Sequence, residues 1–217
     1  MKSVLIIGMG RMGRHLAKKM EQLGNDVMIV DKNAELIESL SDHFTDSSIC
    51  DCTVESVIRS LGVDNFDICF VTIGEDFQAS LVVTSLLKKY GAHNIVAKTN
   101  QDIQAELLRT IGANEVVYPE VEIAEKLAVR YNADNIFDYV PLTASESIYE
   151  IPVLRQWIGH SLIELDIRRK YNINIIAVKN GSDLNANVGA DYRFRENDHI
   201  MVLGRSDDVF RLSAKAK

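Results

Sequence analysis

The chain has 217 residues, enough for one large or two small domains with a buried core. Apolar residues make up 47% and charged residues 25%, proportions that exclude a disordered chain. Its 31 acids outnumber 24 bases for a formal charge of -7, the wrong sign for binding nucleic acid or anionic lipid. No apolar run approaches the roughly 20 residues of a membrane helix. The N-terminus runs straight into an apolar strand, which leaves no room for a signal peptide. The expectation is a cytoplasmic protein that does not itself enter the membrane. Three cysteines, Cys50, Cys52 and Cys69, make no paired framework and fit a reducing compartment. Cys50 and Cys52 flank Asp51 without a second pair at ligand spacing, so they read as small buried residues rather than a zinc site.

The first apolar strand, Val4–Ile7, leads into Gly8-Met9-Gly10-Arg11-Met12-Gly13, a G-x-G-x-x-G pattern at the start of a helix over Arg11–Leu23. Gly8 permits the tight turn, Gly10 leaves space for a pyrophosphate, and Gly13 lets helix and strand pack closely. The helix N-terminus offers free N–H groups to phosphate oxygens. A second strand, Val27–Val30, ends at Asp31, about eighteen residues beyond Gly13 and near the spacing of a ribose-binding acid. Strand, glycines, helix and acid in this order indicate an adenine nucleotide or dinucleotide.

The alternation continues with strands at Ser48–Cys50, Ile68–Ile73, Ile95–Ala97 and Glu115–Tyr118. Helices are expected over Ala34–Leu40, Val54–Leu61, Phe77–Tyr90 and Ile103–Ile111. Gly24, Gly62, Gly91 and Gly112 each follow a helix, where glycine accepts the left-handed conformation. The short apolar strands lack strict alternation, as in a parallel sheet covered on both faces. The fold class is therefore α/β, a doubly wound Rossmann-type sheet with its ligand at the strands' carboxyl ends. Gly8–Gly13, Asp31, Asp51, Gly74–Asp76 and Lys98 all fall there, with Glu75 and Asp76 placed to cap the next helix.

After Pro119 the pattern changes. Glu120–Asn132 reads as a helix, and Asn135–Pro141 as a linking element rather than a seventh parallel strand. A second, smaller α+β lobe follows, with strands at Ser147–Ile151, Ile173–Lys179 and His199–Leu203 and a helix over Ser161–Tyr171. Asn180-Gly181 signals a type I′ hairpin. The division expected is residues 1–134, nucleotide domain plus crossover helix, and residues 135–217, a regulatory lobe. That lobe is near the lower limit for independent stability, and dimerisation is expected of it.

Two functional classes remain open on these residues. One is an NAD(H)-dependent oxidoreductase or NAD(H)-sensing redox regulator. The other is a sensor whose conformational equilibrium shifts with nucleotide. His160 and His199 are the histidines of the second lobe, neither in a recognisable catalytic setting, and no catalytic residue is assigned.

The chain resembles the RCK (regulator of potassium conductance) family, specifically the cytoplasmic regulatory subunits of Ktr/Trk-type potassium uptake systems. The matching pieces are Gly8–Gly13, Val30-Asp31, Asp51-Cys52-Thr53, Thr72-Ile73-Gly74, Lys98, Ile111-Gly112-Ala113, Pro119-Glu120, Leu165–Tyr171 and the Asp198–Gly204 strand. It carries one copy of the unit where Trk-type subunits have two, and so is more similar to the Ktr type. The resemblance implies dimers assembled into a ring, an octamer, beneath an integral-membrane potassium channel subunit at the inner face of the membrane. It implies no catalysis: ATP and ADP binding shifts the ring's shape and gates the ion path.

By the same resemblance the nucleotide site comprises Gly8, Gly10, Arg11, Met12, Gly13, Asp31, Lys32, Asp51, Cys52, Thr53, Thr72, Ile73, Gly74, Lys98 and Glu120. Asp31 holds the ribose hydroxyls, in ATP and ADP as in NAD(H). Arg11 reaches a phosphate in the neighbouring subunit. Glu120 helps bind Mg²⁺ or Ca²⁺ at the dimer interface. In the second lobe cyclic di-AMP is implied, with Arg168 or Arg169 on a phosphate and Ile163, Ile175 or Ile176 against the bases.

Overall fold

The computed structural model describes residues 1–44, 46–132 and 135–214, which form two compact units, Met1–Val121 and Glu122–Lys217. The boundary expected from sequence falls at Asp134, outside the described residues.

In the first unit β1 (Ser3–Ile7) leads to α1 (Arg11–Gln22), β2 (Asp26–Asp31), α2 (Ala34–Glu38), β3 (Asp46–Ile49) and α3 (Glu55–Ser60). β4 (Ile68–Val71), α4 (Phe77–Lys89), β5 (Ile95–Lys98), α5 (Asp102–Ile111) and β6 (Glu115–Val117) complete it. The six strands are parallel, in the order β3-β2-β1-β4-β5-β6. Alternation along β1 explains the layering. Leu5 and Ile7 join Val71, Ile95, Val83 and Leu87 in one core, while Val4 and Ile6 join Val27, Ile29, Ala17 and Ile37 in the other. Both faces of β1 are therefore buried, which is why its sequence is continuously apolar. The sheet grows outward from β1 in one direction and from β4 in the other. Their carboxyl ends diverge at this switch point and leave a crevice.

α6 (Pro119–Asn132) starts in the first unit and continues into the second. There β7 (Asp138–Pro141), β8 (Glu146–Pro152), α7 (Leu162–Leu165), α8 (Ile167–Tyr171), β9 (Ile173–Asn180), β10 (Asp183–Asn185), β11 (Asp198–Arg205) and α9 (Ser206–Ser213) follow. The five strands form an antiparallel sheet, β10-β9-β11-β8-β7. Its core gathers Tyr149, Ile151, Ile200 and Val202 with Trp157, whose ring lies 5.2 Å from Tyr171 and 5.9 Å from Phe194.

Several expectations are corrected. β3 spans Asp46–Ile49 rather than Ser48–Cys50, because its polar residues need only an edge register with Met28–Asp31. The helix expected over Ala34–Leu40 ends at Glu38 and gives way to a 3-10 turn at Ser41–His43. Within the segment read as a linker, Asp138–Pro141 pairs antiparallel with β8 and closes the second sheet. The single helix expected over Ser161–Tyr171 is broken at Asp166, whose φ of 48° and ψ of 47° are left-handed. The Asn180-Gly181 hairpin forms, but its two-residue loop is Gly181-Ser182, and only Gly181 has positive φ. A type I′ turn needs two such residues.

The 190s loop is tied to α7 by a charge pair. Arg193 donates through both terminal nitrogens to Glu164, at 3.1 and 2.7 Å, and Glu164 also accepts from the Ser161 N–H in a capping box. Arg193 first, and the Ser161 N–H next, hold the Glu164 carboxyl down at about 2. A depressed folded value means that this contribution is fully present above the ordinary glutamate range near 4.5 and is lost as pH falls toward 2. Thermal melts of Glu164→Gln should therefore be lower than wild type at pH 7, with the gap closing as pH is lowered toward 2.

Candidate nucleotide-binding cleft

A cleft of about 840 Å³ opens at the carboxyl ends of the first sheet. Gly8 follows β1 with φ of 101°, and its N–H reaches the Val30 carbonyl at 2.8 Å. Buried Thr72, just past β4, donates its hydroxyl to the Gly8 carbonyl at 2.6 Å. A Cβ added at Gly13 would lie 2.0 Å from that same carbonyl oxygen, so α1 and β1 meet backbone to backbone. A Cβ at Gly10 would meet nothing within 4 Å. The sequence roles of the three glycines thus have distinct geometries: turn, open approach and close packing.

The first turn of α1 has no side-chain cap at Gly10. α2 and α4, by contrast, are capped by Asn33 on the Leu36 N–H and by Asp76 on the Ala79 N–H. The α1 N-terminus therefore keeps N–H groups for an anion in the cleft. Asp31 ends β2 beside it, accepting from the Met9 N–H at 2.6 Å and the Asn33 N–H at 2.9 Å. The carboxylate thereby fixes the glycine loop and lines the cleft.

Fourteen of the fifteen residues expected in the site line this cleft, and Gly13 is buried in α1. After β3, Asp51 accepts from the Thr53 N–H at 2.9 Å and hydroxyl at 2.7 Å, and these bonds hold its carboxyl below the usual range. Burial pushes the Cys52 thiol up, and the Cys69 thiol up to about 12. Ile73 and Gly74 follow β4, and Arg11, Met12 and Lys32 border the opening. Lys98 ends β5, and its Nζ donates to Glu120 Oε1 at 2.8 Å, in the first turn of α6. That bond holds the Glu120 carboxyl below the usual range. Asn100, which sequence reasoning missed, also lines the cleft. Its position two residues beyond a strand end was the available signal.

Among the described residues no group of three or more histidine, cysteine or acidic side chains is arranged to hold a metal. A cation at Glu120 would need its remaining oxygens from phosphate, water or another chain, which suits Mg²⁺. In the second unit a smaller hollow of about 370 Å³ brings together Ile163, Arg168 and Ile175 with Asp166 and Asn174. Arg169 lies outside it, its Nε 3.1 Å from Asp166, and Ile176 is exposed on β9.

The TrkA-N domain pattern matches residues 4–119, over the nucleotide-type sheet, and the TrkA-C domain pattern matches residues 147–216. The chain belongs to the TrkA-N/TrkA-C family. It is 34% identical to the Ktr system potassium uptake protein C of Bacillus subtilis (strain 168), over 99% of this chain and 97% of that protein. It is 31% identical to Ktr system potassium uptake protein A of the same organism, over 97% and 95%. The fold recurs in the GsuK channel bound to NAD, with a TM-score of 0.70 at 19% identity over 100% of this chain and 39% of that one. The GsuK structure bound to ADP covers 62% of this chain and 36% of that one, with a TM-score of 0.53 at 19% identity. The chain thus spans well under half the length of these channel chains.

The glycine geometry separates folding from ligand approach. Gly10→Ala should cost under about 1 kcal/mol in stability, since its Cβ projects into open space at a cap position. Gly13→Ala should cost about 3 kcal/mol, the upper range of overpacking. Denaturant unfolding of the two variants checks the difference.

Proposed function

We propose that this TrkA-N/TrkA-C protein is a nucleotide-sensing regulatory subunit of a membrane potassium channel or transporter. The observation that carries this is the uncapped α1 N-terminus beside Asp31, with open space at Gly10 between them and the cleft. Such a site takes phosphate on its N–H groups and ribose on its carboxylate. ATP and ADP are the ligands proposed, and their exchange shifts the conformation that the subunit presents to its channel partner. The resemblance to Ktr potassium uptake proteins supports this partner and a location at the cytoplasmic face of the membrane.

Dimers assembled into an octameric ring are part of the same proposal. Arg11, exposed at the mouth of the cleft, bridges to a phosphate bound in a neighbouring subunit. Glu120 carries a divalent cation, Mg²⁺ or Ca²⁺, with oxygens from phosphate. In the second unit the hollow at Ile163, Arg168 and Ile175 is the proposed seat of cyclic di-AMP. Residues 1–134 act as the nucleotide domain and residues 135–217 as the regulatory lobe.

A nicotinamide reading of the same cleft rests on the same carboxylate, because ATP, ADP and NAD(H) share the ribose that Asp31 faces. Calorimetry with ATP, ADP and NADH separates the ligands. ATP and ADP should bind without turnover, and Asp31→Ala should weaken both about tenfold or more. Hydride transfer from NADH to a carbonyl substrate would overturn the proposal. Arg11→Ala should leave ADP affinity within about twofold and abolish any ATP-linked change in dimer geometry measured by small-angle scattering.

A further inference from the structure

Two of the three cysteines meet in the wall of the cleft. β3 ends at Ile49, and the next N–H, that of Cys50, donates to the Asp31 carbonyl at 3.1 Å. The chain then turns. The Val54 N–H donates to the Asp51 carbonyl at 3.1 Å, and Thr53 closes on the Asp51 carboxylate with its N–H and hydroxyl. The Asp51 side chain is thereby held at Thr53, while the thiols of Cys50 and Cys52 adjoin each other and both line the cleft. Cys52 is buried and belongs to the core of the first sheet, whereas Cys50 is half-buried, with the Ser48 hydroxyl 3.6 Å from its Sγ. Cys69 is fully buried and lies outside the cleft lining.

The two neighbouring sulfurs have different access to solvent. A thiol must be reached before it reacts, and its thiolate is the nucleophile. Cys50 is the more open of the pair. Burial first, and the neighbouring Cys50 next, push the Cys52 thiol up, so Cys52 stays protonated. In a reducing compartment both rest as thiols, and disulfides formed there are transient and redox-sensing. We propose that Cys50 and Cys52 form a redox-sensing dithiol: a peroxide entering the cleft oxidises Cys50, Cys52 closes a disulfide onto it, and the bridged cleft holds nucleotide less tightly. The Cys50 sulfur attacks one peroxide oxygen and the O–O bond breaks. The departing oxygen takes up the thiol proton and leaves as water, and Cys50 becomes a sulfenic acid. The Cys52 sulfur then attacks that sulfur, the S–O bond breaks, and the hydroxyl leaves with the Cys52 proton as a second water. Two thiols lose two electrons and two protons, and the peroxide gains them.

Cys52 is anchored in the core, so closing the bridge draws Cys50 toward it. The Cys50 N–H is bonded to Asp31, whose carboxylate holds the Met9 N–H of the glycine loop. Oxidation therefore reaches the loop through two hydrogen bonds. The effect on affinity rests on the nucleotide reading of the cleft; the disulfide does not. Linkage makes the coupling reciprocal. If ADP binds the dithiol form about fivefold more tightly, it raises the reduction potential of the pair by about 20 mV.

Peptide mapping of the full chain after hydrogen peroxide and alkylation tests the chemistry. The tryptic peptide between Lys32 and Arg59 carries Cys50 and Cys52 and no other cysteine. It should be unalkylated and lighter by two hydrogens, and dithiothreitol should restore both thiols. Cys52→Ser should stop at a Cys50 sulfenic acid that dimedone traps, and Cys50→Ser should form no bridge. Calorimetry should show the oxidised chain binding ADP at least about fivefold more weakly than the reduced one, the lower end of ordinary coupling between sites. Cys50→Ser should bind ADP equally before and after peroxide. If the wild-type peptide stays alkylatable at both cysteines, or oxidises without a bridge, the dithiol is wrong. If the bridge forms and ADP binds both forms alike, the coupling is wrong while the nucleotide reading stands. If ADP binds neither form, the nucleotide reading falls and takes the coupling with it, while the bridge stands on the mapping.

Discussion

Where α1 rests on β1 there is no room for a side chain. The Gly13 backbone sits against the Gly8 carbonyl, which the Thr72 hydroxyl also holds, so helix, first strand and fourth strand meet at one oxygen. This contact fixes where α1 begins, and hence where its uncapped N–H groups point. Asp31, tied to the Met9 N–H of the same loop, brings the end of β2 to that point. The cleft follows from these few bonds, and the remaining strand ends contribute side chains to a space already defined.

Much of the first unit was legible because its signals are local. The alternation of short apolar strands with helices, the G-x-G-x-x-G turn and Asp31 each report a backbone requirement within one strand–helix unit, and right-handed crossovers with one switch give the doubly wound sheet. β3 was displaced because Asp46-Ser47-Ser48 carries no apolar signal: an edge strand is specified by its neighbour. The second unit was less legible for the same reason. Asp138–Pro141 becomes a strand only through antiparallel pairing with β8, a partner that no local pattern announces. The break at Asp166 was hidden because an aspartate inside a helix-like pattern gives no warning that it will adopt positive φ.

The site shows a similar division. Glycines and strand-end residues could be placed from spacing alone, since a parallel sheet delivers every strand's carboxyl end to one edge. The pairing of Lys98 with Glu120 could not. It joins the end of β5 to the head of α6 through side chains, and depends on a lysine stem lying mostly buried while its partner stays in solvent. Asn100 escaped notice because an isolated asparagine has many uses and only the shape of the cleft selects this one.

The position of Asp31 also sets a limit on which cofactors the cleft can accommodate. Its carboxylate is committed to the Met9 and Asn33 N–H groups and so stays fixed at the edge of the space proposed for a ribose. A free 2′-hydroxyl can donate to it. A 2′-phosphate brings charge of the same sign against a group that cannot turn aside. On the nucleotide reading proposed above, the same bond that shapes the glycine loop disfavours phosphorylated dinucleotides such as NADP.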